Sequence, residues 1–379
     1  MRFMGAQYVE EAAESCAALL RTVVDEDWEN TDAAGLEWSC RFTATHVASD
    51  FLGYAGNLAS RAQTSYVPFD ITVDGDEKGN YRADNAGLID VVTTTGALFA
   101  ATLRTAPRAA RAYHPYPFRS ANRDGFAAMG IAEALLHTHD IAQGFGVPYE
   151  APAELAEYVL TTIFPGVRPG PAPWPTLLWA TGRGELPGRA RVTEWRWCNN
   201  LVLPTERLTL EGVTPAAAAD LAAGGDGGFD WVADGPFEGT RAAAGMMLKA
   251  YESGVHRPEF GVFALVRRED DRAIGGIGFH GAPDEDGRAE VGYDLAESAR
   301  GQGYATEALR ALSAWALDRD DVRLLMATVE ETNHASQAVV TRAGYVRATI
   351  EEQREVHAQE QHEPLEKEAD LRLYLRGRD

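Results

Sequence analysis

Apolar positions recur with two different periods along this chain, and the change of period divides it. Over 7–24 the side chains of Tyr8, Ala12, Ala13, Cys16, Leu19, Leu20 and Val23 fall at helical spacing. The same spacing runs through 42–60 (Phe42, Val47, Phe51, Tyr54, Leu58) and 86–105 (Leu88, Val91, Val92, Leu98, Phe99, Leu103). It returns over 124–145 (Met129, Ile131, Ala132, Leu135, Leu136, Ile141), where Gly144, Gly146 and Pro148 stop it. Four helices of this length predict an all-α four-helix bundle over 1–165. The stretch FPGVRPGPAPWP then places proline at 165, 169, 171, 173 and 175, the composition of a loop or linker. The aromatic, Arg-rich run after it is too hydrophobic for a free tether. The connecting segment 166–203 is therefore expected to pack back on the bundle or to fill an interface.

After Pro204 the period becomes two. ERLTLEGV, FGVFALVRR (260–268), 273–279 and AEVGYDL (289–295) read as strands, with a hairpin turn at Asp284, Glu285, Asp286 and Gly287. Helices are expected over 214–223, 303–319 and 333–343, and further strands at RLLMATV (323–329), YVRATIE and ADLRLYL. Together they predict a second, α+β domain over 204–379.

A length of 379 residues suits two domains. With 45% hydrophobic and 24% charged residues, disorder throughout is excluded. The net charge of −22, of which −14 falls after residue 200, argues against nucleic acid and anionic lipid and suits a cationic or amine-bearing partner. Cys16, Cys40 and Cys198 are odd in number and far apart, so neither a disulfide framework nor a CxxC site is expected. The N-terminus lacks an apolar signal core, and no run of about 18 apolar residues occurs. A cytoplasmic protein with no membrane partner is the expectation.

The segment EVGYDLAESARGQGYATEALRAL (290–312) runs from a strand through Arg300, Gly301, Gln302, Gly303, Tyr304 and Ala305 into an amphipathic helix. A helix N-terminus presents unpaired N–H groups and positive potential, glycines let an anion approach, and Arg300 can add charge. Taken alone, such a turn is equally a tight strand-to-helix connection. The segment resembles the acetyl-CoA motif of the GNAT N-acetyltransferases, Gln/Arg-x-x-Gly-x-Gly/Ala, here Arg300, Gly303 and Ala305. Tyr304, Thr306 and Glu307 are those common in the ribosomal-protein acetyltransferase branch. ETNHASQAVVTRAGYVR (331–347) is similar to the family's next element, through Asn333, Ser336 and Gly344-Tyr345; TERLTL and ADLRLYL resemble its first and last strands.

This resemblance, over 204–379, implies a GNAT fold with a mixed, mostly antiparallel sheet. It also implies acetyl-CoA as cosubstrate and transfer of its acetyl group to an amine, on a small molecule or a peptide N-terminus. Residues 300–305 would hold the cofactor, helped by Asn333, and backbone N–H groups of 289–295 would face the oxyanion. Glu290 is the candidate base or water-orienter, though it is equally an exposed strand carboxylate; Tyr293 lines the site or packs. Many members place a Tyr proton donor where this chain has Val340. Ser336 is the expected replacement, with Asn333 orienting the pantetheine arm; alternatively the two form a helix cap. Glu238, His256 and Glu259 precede the central strands and receive no role.

In IAEALLHTHDIAQGFG (131–146), Glu133 and His137 share a helix face beside Met129 and Leu136, where a carboxylate and an imidazole need partners or a cation. Taken alone, the pair reads more simply as an ion pair one turn apart. His46 lies one turn before Asp50; if the two helices face each other, His46, Glu133 and His137 supply three ligands with an open position, as in catalytic zinc sites. EALLHTHDIAQGFG and WSCRFTATHVASDF resemble segments of the mycothiol-dependent maleylpyruvate isomerase N-terminal, DinB-like bundles, over 5–200. LLWATGRGELPGRARVTEWRW resembles sequence found after such bundles. That resemblance implies a divalent metal, usually zinc, on His46, Glu133 and His137, and in some relatives a low-molecular-weight thiol. His139 stands where Trp is usual, and Asp140 orients a ligand or ends the helix in an ion pair.

The leading expectation is an N-acetyltransferase acting on a cationic amine. Its bundle would shape the acceptor pocket, mediate a homodimer or perform thiol chemistry. Two alternatives stay open: a metal- and thiol-dependent isomerase or transferase centred on the bundle, and a non-catalytic acetyl-CoA sensor.

Overall fold

The computed structural model describes residues 4–69, 71–75, 82–115, 118–353 and 371–378. The chain divides between Asn200 and Leu201 into two compact units.

In the first unit, α1 (Gly5–Thr22), α2 (Cys40–Ser60), α3 (Asn85–Thr105) and α4 (Arg123–Gly144) follow the predicted stripes closely. Side-chain caps set three of their starts. Ser39, Asp84 and Asn122 accept from the backbone N–H of Phe42, Gly87 and Gly125, which the helices leave unpaired. Helices α3 and α4 each pack against both α1 and α2. Leu20, Phe51, Leu88, Phe99 and Met129 lie fully buried among them. A short antiparallel pair of two-residue strands, β1 (Arg111–Ala112) with β2 (Ala121–Asn122), leads into α4. Helix α3 is long and apolar enough to cross a membrane. Here Leu88, Val92, Phe99 and Leu103 instead face the protein core.

In this unit two helices depart from the expectation: α5 (Ala153–Ile163) and α6 (Pro173–Ala180). Helix α6 begins inside the proline run, because proline in a first turn sacrifices no intrahelical hydrogen bond. Its Leu177 and Ala180 join the core of the helical unit. Trp179 Nε1 donates to Ala190 O at 2.8 Å within the aromatic run, and Trp179 and Trp197 pack against the helical core. Residues 166–200 are thus part of the helical unit rather than a separate connector. The division between the compact units falls at 200/201.

The second unit contains β3 (Val202–Pro204), β4 (Leu208–Gly212), α7 (Pro215–Ala222), α8 (Glu238–Ser253), β5 (Val262–Arg267), β6 (Arg272–Phe279) and β7 (Arg288–Leu295). It continues with α9 (Tyr304–Leu317), β8 (Leu324–Glu330), α10 (His334–Arg342), β9 (Val346–Arg347) and β10 (Leu371–Gly377). The strands form one sheet in the order β3-β4-β5-β6-β7-β8-β10-β9. Every pairing is antiparallel except β7 with β8, so the sheet is mixed and mostly antiparallel as expected. The strand expected at YVRATIE shrinks to Val346–Arg347. Ala369 and Asp370 of the last expected strand lie outside the described residues. Alternation along β5 turns Val262, Ala264 and Val266 toward Leu221 of α7 and Met247 of α8.

The parallel pair sets the stage for chemistry. Strands β7 and β8 are in register only at Arg288↔Leu324, Ala289↔Leu325 and Glu290↔Met326. Beyond Glu290, β7 follows β6 while β8 follows β10. A wedge opens between 291–295 and 327–330. Its facing edges lie outside the β7–β8 ladder, and of them the Thr328 backbone already hydrogen-bonds Glu290.

Candidate functional site

Where β7 ends, a short turn carries the chain into α9. Gly301 and Gly303 adopt φ of 74° and 83°, a left-handed conformation that strains other residues. Gly303 is the N-cap of α9 and contributes no side-chain cap, which leaves the first-turn N–H groups for an anion. A Cβ added at Gly301 would meet open space. The turn is braced by Arg207, which the sequence did not single out. Its Nη1 donates to Gln302 O at 2.9 Å, its Nε to Glu307 Oε2 at 2.7 Å, and its guanidinium lies 4.6 Å from the Tyr304 ring centre. Burial pushes the Glu307 carboxyl up, but hydrogen bonds from Thr205 and Arg207 hold it below the usual carboxylate range. Arg300 stays exposed but folds back along the turn: its Nε donates to Leu295 O at 3.0 Å and its guanidinium sits 5.0 Å from the Phe237 ring centre.

Glu290 has a partner. Its Oε2 lies 3.0 Å from His280 Nδ1. Burial would raise the Glu290 carboxyl, but the hydrogen bonds with His280 and Thr328 bring it below the usual range. The bond to Glu290 raises the His280 imidazole against the opposing effect of burial. A hairpin turning at 284–287 brings 280 opposite 290, so the predicted turn already contained this register. Alternation puts Glu290, Gly292 and Asp294 on the face covered by α8. A Cβ on Gly292 would come 2.8 Å from His280 Nε2, so the missing side chain makes room for the ring. Asp294 accepts from Gly276 N (3.0 Å), Thr240 N (2.7 Å) and Thr240 Oγ1 (2.5 Å), tying α8 to the sheet. Between α8 and β6–β7 lies a cleft of about 240 Å³ with His280 in its lining.

On the opposite face, the Tyr293 hydroxyl lies 2.7 Å from Ser336 Oγ, linking β7 to α10. Asn333 is the N-cap of α10, its side chain accepting from Ser336 N at 3.0 Å. The Ser336 hydroxyl is thereby left for Tyr293. Glu290 and Ser336 do not meet, since strand alternation separates them. Val340 is fully buried and packs in the core. Glu259 pairs with Arg257 (2.7 Å) and Arg319 (3.3 Å), away from the cleft lining. Burial depresses the His256 imidazole to about 4, against the pull of Glu259. Glu238 is exposed at the start of α8.

In the helical unit, His46 of α2 and Glu133 and His137 of α4 bring their ligand atoms within 4.8 Å of one another. His137 Nε2 is 3.0 Å and His46 Nε2 is 3.8 Å from Glu133 Oε2. His46 Nε2 is also 3.1 Å from Asp50 Oδ2, which puts a second carboxylate beside the cluster. Asp140 neither ends the helix nor faces solvent: its Oδ2 lies 3.1 Å from His137 Nδ1, and Arg183 grips both carboxylate oxygens at 2.9 and 2.8 Å. That arrangement fixes the His137 ring with Nε2 toward Glu133. Burial opposes the charge on His137, but hydrogen bonds to Asp140 and Glu133 lift it to about 9. Two imidazoles and a carboxylate at these separations suit a divalent cation by their donor chemistry. His139 sits beside the Trp174 ring, 5.7 Å between centres, and outside the cluster. The aromatic wall is Trp38, 4.9 Å from the His46 ring.

Residues 207–346 match the model of the acetyltransferase (GNAT) domain. Two curated relatives are similar over parts of that region. An uncharacterized N-acetyltransferase YjdG of Bacillus subtilis is 36% identical over 87 residues, 23% of this chain and 52% of the relative. An uncharacterized N-acetyltransferase p20 of Bacillus licheniformis is 36% identical over 74 residues, 20% and 42% of the two chains. The chain thus spans about half the length of the curated relatives it matches. Among solved structures, an acetyltransferase of Agrobacterium tumefaciens is 24% identical, covering 50% of this chain and 100% of its own, with a TM-score of 0.32. An acetyl transfer enzyme of Salmonella typhimurium, described as modifying the N-terminal serine of a ribosomal protein, is 21% identical over 47% and 100%, with a TM-score of 0.33. By the family match over 207–346, the C-terminal unit of this chain carries an acetyltransferase (GNAT) domain.

Proposed function

We propose that the chain is an N-acetyltransferase that moves acetyl from acetyl-CoA to an amine. The observation that carries this reading is the parting of β7 from β8 beside the glycine-led start of α9. The diphosphate of CoA sits on the N–H groups of 303–305, and the pantetheine arm lies in the wedge, bonded to the strand edges. The acetyl carbonyl then faces β7, whose N–H groups stabilise the oxyanion. The amine approaches from the α8 cleft. His280, oriented by Glu290, takes its proton, the N–C bond forms, and the C–S bond breaks. Tyr293, held by Ser336, supplies the proton to the departing thiolate. Because Glu290 raises His280, this base becomes neutral and competent only as pH rises above the ordinary imidazole range.

Calorimetry with acetyl-CoA, followed by CoA release on adding amines, tests the reading. Wild type binds and turns over. Gly303→Val, which places a β-branched side chain at φ of 83° on the anion-binding turn, weakens binding by about tenfold or more. No binding heat in wild type, or unaltered binding in a folded Gly303→Val variant, refutes it.

A second reading concerns the helical unit alone. The cluster of His46, Glu133 and His137 supports a DinB-like bundle holding a divalent metal, with zinc favoured by the mixed nitrogen and oxygen donors. Such an ion would supply Lewis acidity. Asp140 and Arg183 keep the His137 proton on Nδ1, leaving Nε2 for the ion. An isomerase or transferase activity in this unit rests on the same cluster.

A further inference from the structure

The cleft between α8 and the β6–β7 hairpin has a lining whose polarity bears on the acceptor. Ala242, Ala243 and Met246 of α8 and Val262 of β5 form apolar walls. Its polar groups are already engaged. Asp294 accepts three hydrogen bonds from Gly276 and Thr240, and Glu290, behind His280, is held by that imidazole and by Thr328. Gly276 lets α8 come close, since a Cβ there would stand 2.6 Å from Thr240 Oγ1. The space is therefore narrow as well as apolar, about 240 Å³.

The net charge of −22 attracts cations toward the molecule, but that field is diffuse and is screened within about 8–10 Å by salt. Inside the cleft the short-range balance differs. One amine nitrogen can be received at His280, where it loses its proton. A second ammonium would leave water for apolar walls where, among the described residues of the lining, the one carboxylate is Asp294, already held by three hydrogen bonds.

Resting on the acetyltransferase reading above, the geometry points to an acceptor class: a monoamine whose body next to the nitrogen is compact and apolar, with Met246 setting the size accepted. A free arylalkylamine and a peptide end with an apolar first residue share that chemistry. Met246 is 49% exposed, so a larger residue there extends over the cleft without disturbing the core.

The test uses the full-length chain. CoA release is measured with 2-phenylethylamine, the tripeptide Val-Leu-Gly, ethylamine and spermidine, in wild type and Met246→Trp, and acetyl-CoA binding is measured by calorimetry in both. The arylalkylamine or the peptide should exceed spermidine in kcat/KM by about tenfold or more. The faster of the two identifies the source. Met246→Trp should raise KM for that acceptor by about tenfold, leaving acetyl-CoA affinity unchanged. Spermidine preferred over both, or a Met246→Trp variant with unchanged KM, overturns the inference while acetyl-CoA binding stays intact. Absence of both acetyl-CoA binding and CoA release overturns the acetyltransferase reading, and this inference with it.

Discussion

Replacing Glu290 by glutamine isolates the electrostatic half of the proposed base. In wild type, Glu290 Oε2 stands 3.0 Å from His280 Nδ1, with side-chain exposures of 26% and 47%. A pair this open to solvent is worth about 1 kcal/mol, the upper end for surface ion pairs. The Glu290→Gln side chain keeps the shape and can still hydrogen-bond, but the charge is gone and only burial remains, which lowers the His280 pKa. The rising limb of the kcat/KM profile, measured as CoA release against pH, should therefore move to lower pH. At the same time kcat on the plateau should fall, because a less basic imidazole accepts the amine proton less readily. His280→Asn should remove the limb and lower kcat by roughly 10²–10⁴-fold. A Glu290→Gln limb that stays in place or moves upward would refute the assignment of His280 and Glu290 as a working pair.

Two further outcomes follow from the geometry. Tyr293→Phe removes the hydroxyl that lies 2.7 Å from Ser336 Oγ; kcat should drop by about tenfold or more, with acetyl-CoA affinity by calorimetry unchanged, and an unaltered kcat would exclude Tyr293 as the thiolate's proton donor. In the helical unit, chelator competition should detect zinc binding that His137→Ala abolishes and that Arg183→Met weakens by about 10–100-fold through loss of the clamp on Asp140; equal affinity in Arg183→Met would show that Asp140 orients His137 unaided.

Much of the fold was readable because it follows from local chemistry. Helices α1 to α4 carry strong apolar stripes and side-chain caps, and both the hairpin at 284–287 and the glycines at 301 and 303 mark turns that few other residues tolerate. Helix α8 escaped notice because its buried side is sparse, only Thr240, Ala244, Met247 and Tyr251. Helix α6 was hidden by prolines that a first turn accommodates. The cluster of His46, Glu133 and His137 lay between these cases. Glu133 and His137 are neighbours by helical spacing, whereas placing His46 beside them required a family resemblance and then the packing of α2 on α4.

By itself, then, the amino-acid order determined the change of period after Pro204, the period of most elements and a glycine-led turn at 301–303, and it singled out Glu290, Tyr293 and Ser336 but not His280. Tertiary structure alone decided their pairing: Arg207 bracing the turn before Glu307, His280 against Glu290, Tyr293 against Ser336, and Arg183 locking Asp140. The physical reason is range. Periodicity and capping record how a residue meets its own neighbours within a turn or a strand. A hydrogen bond between residues tens of positions apart depends on strand register, on where β7 leaves β8, and on how closely a helix can approach a sheet.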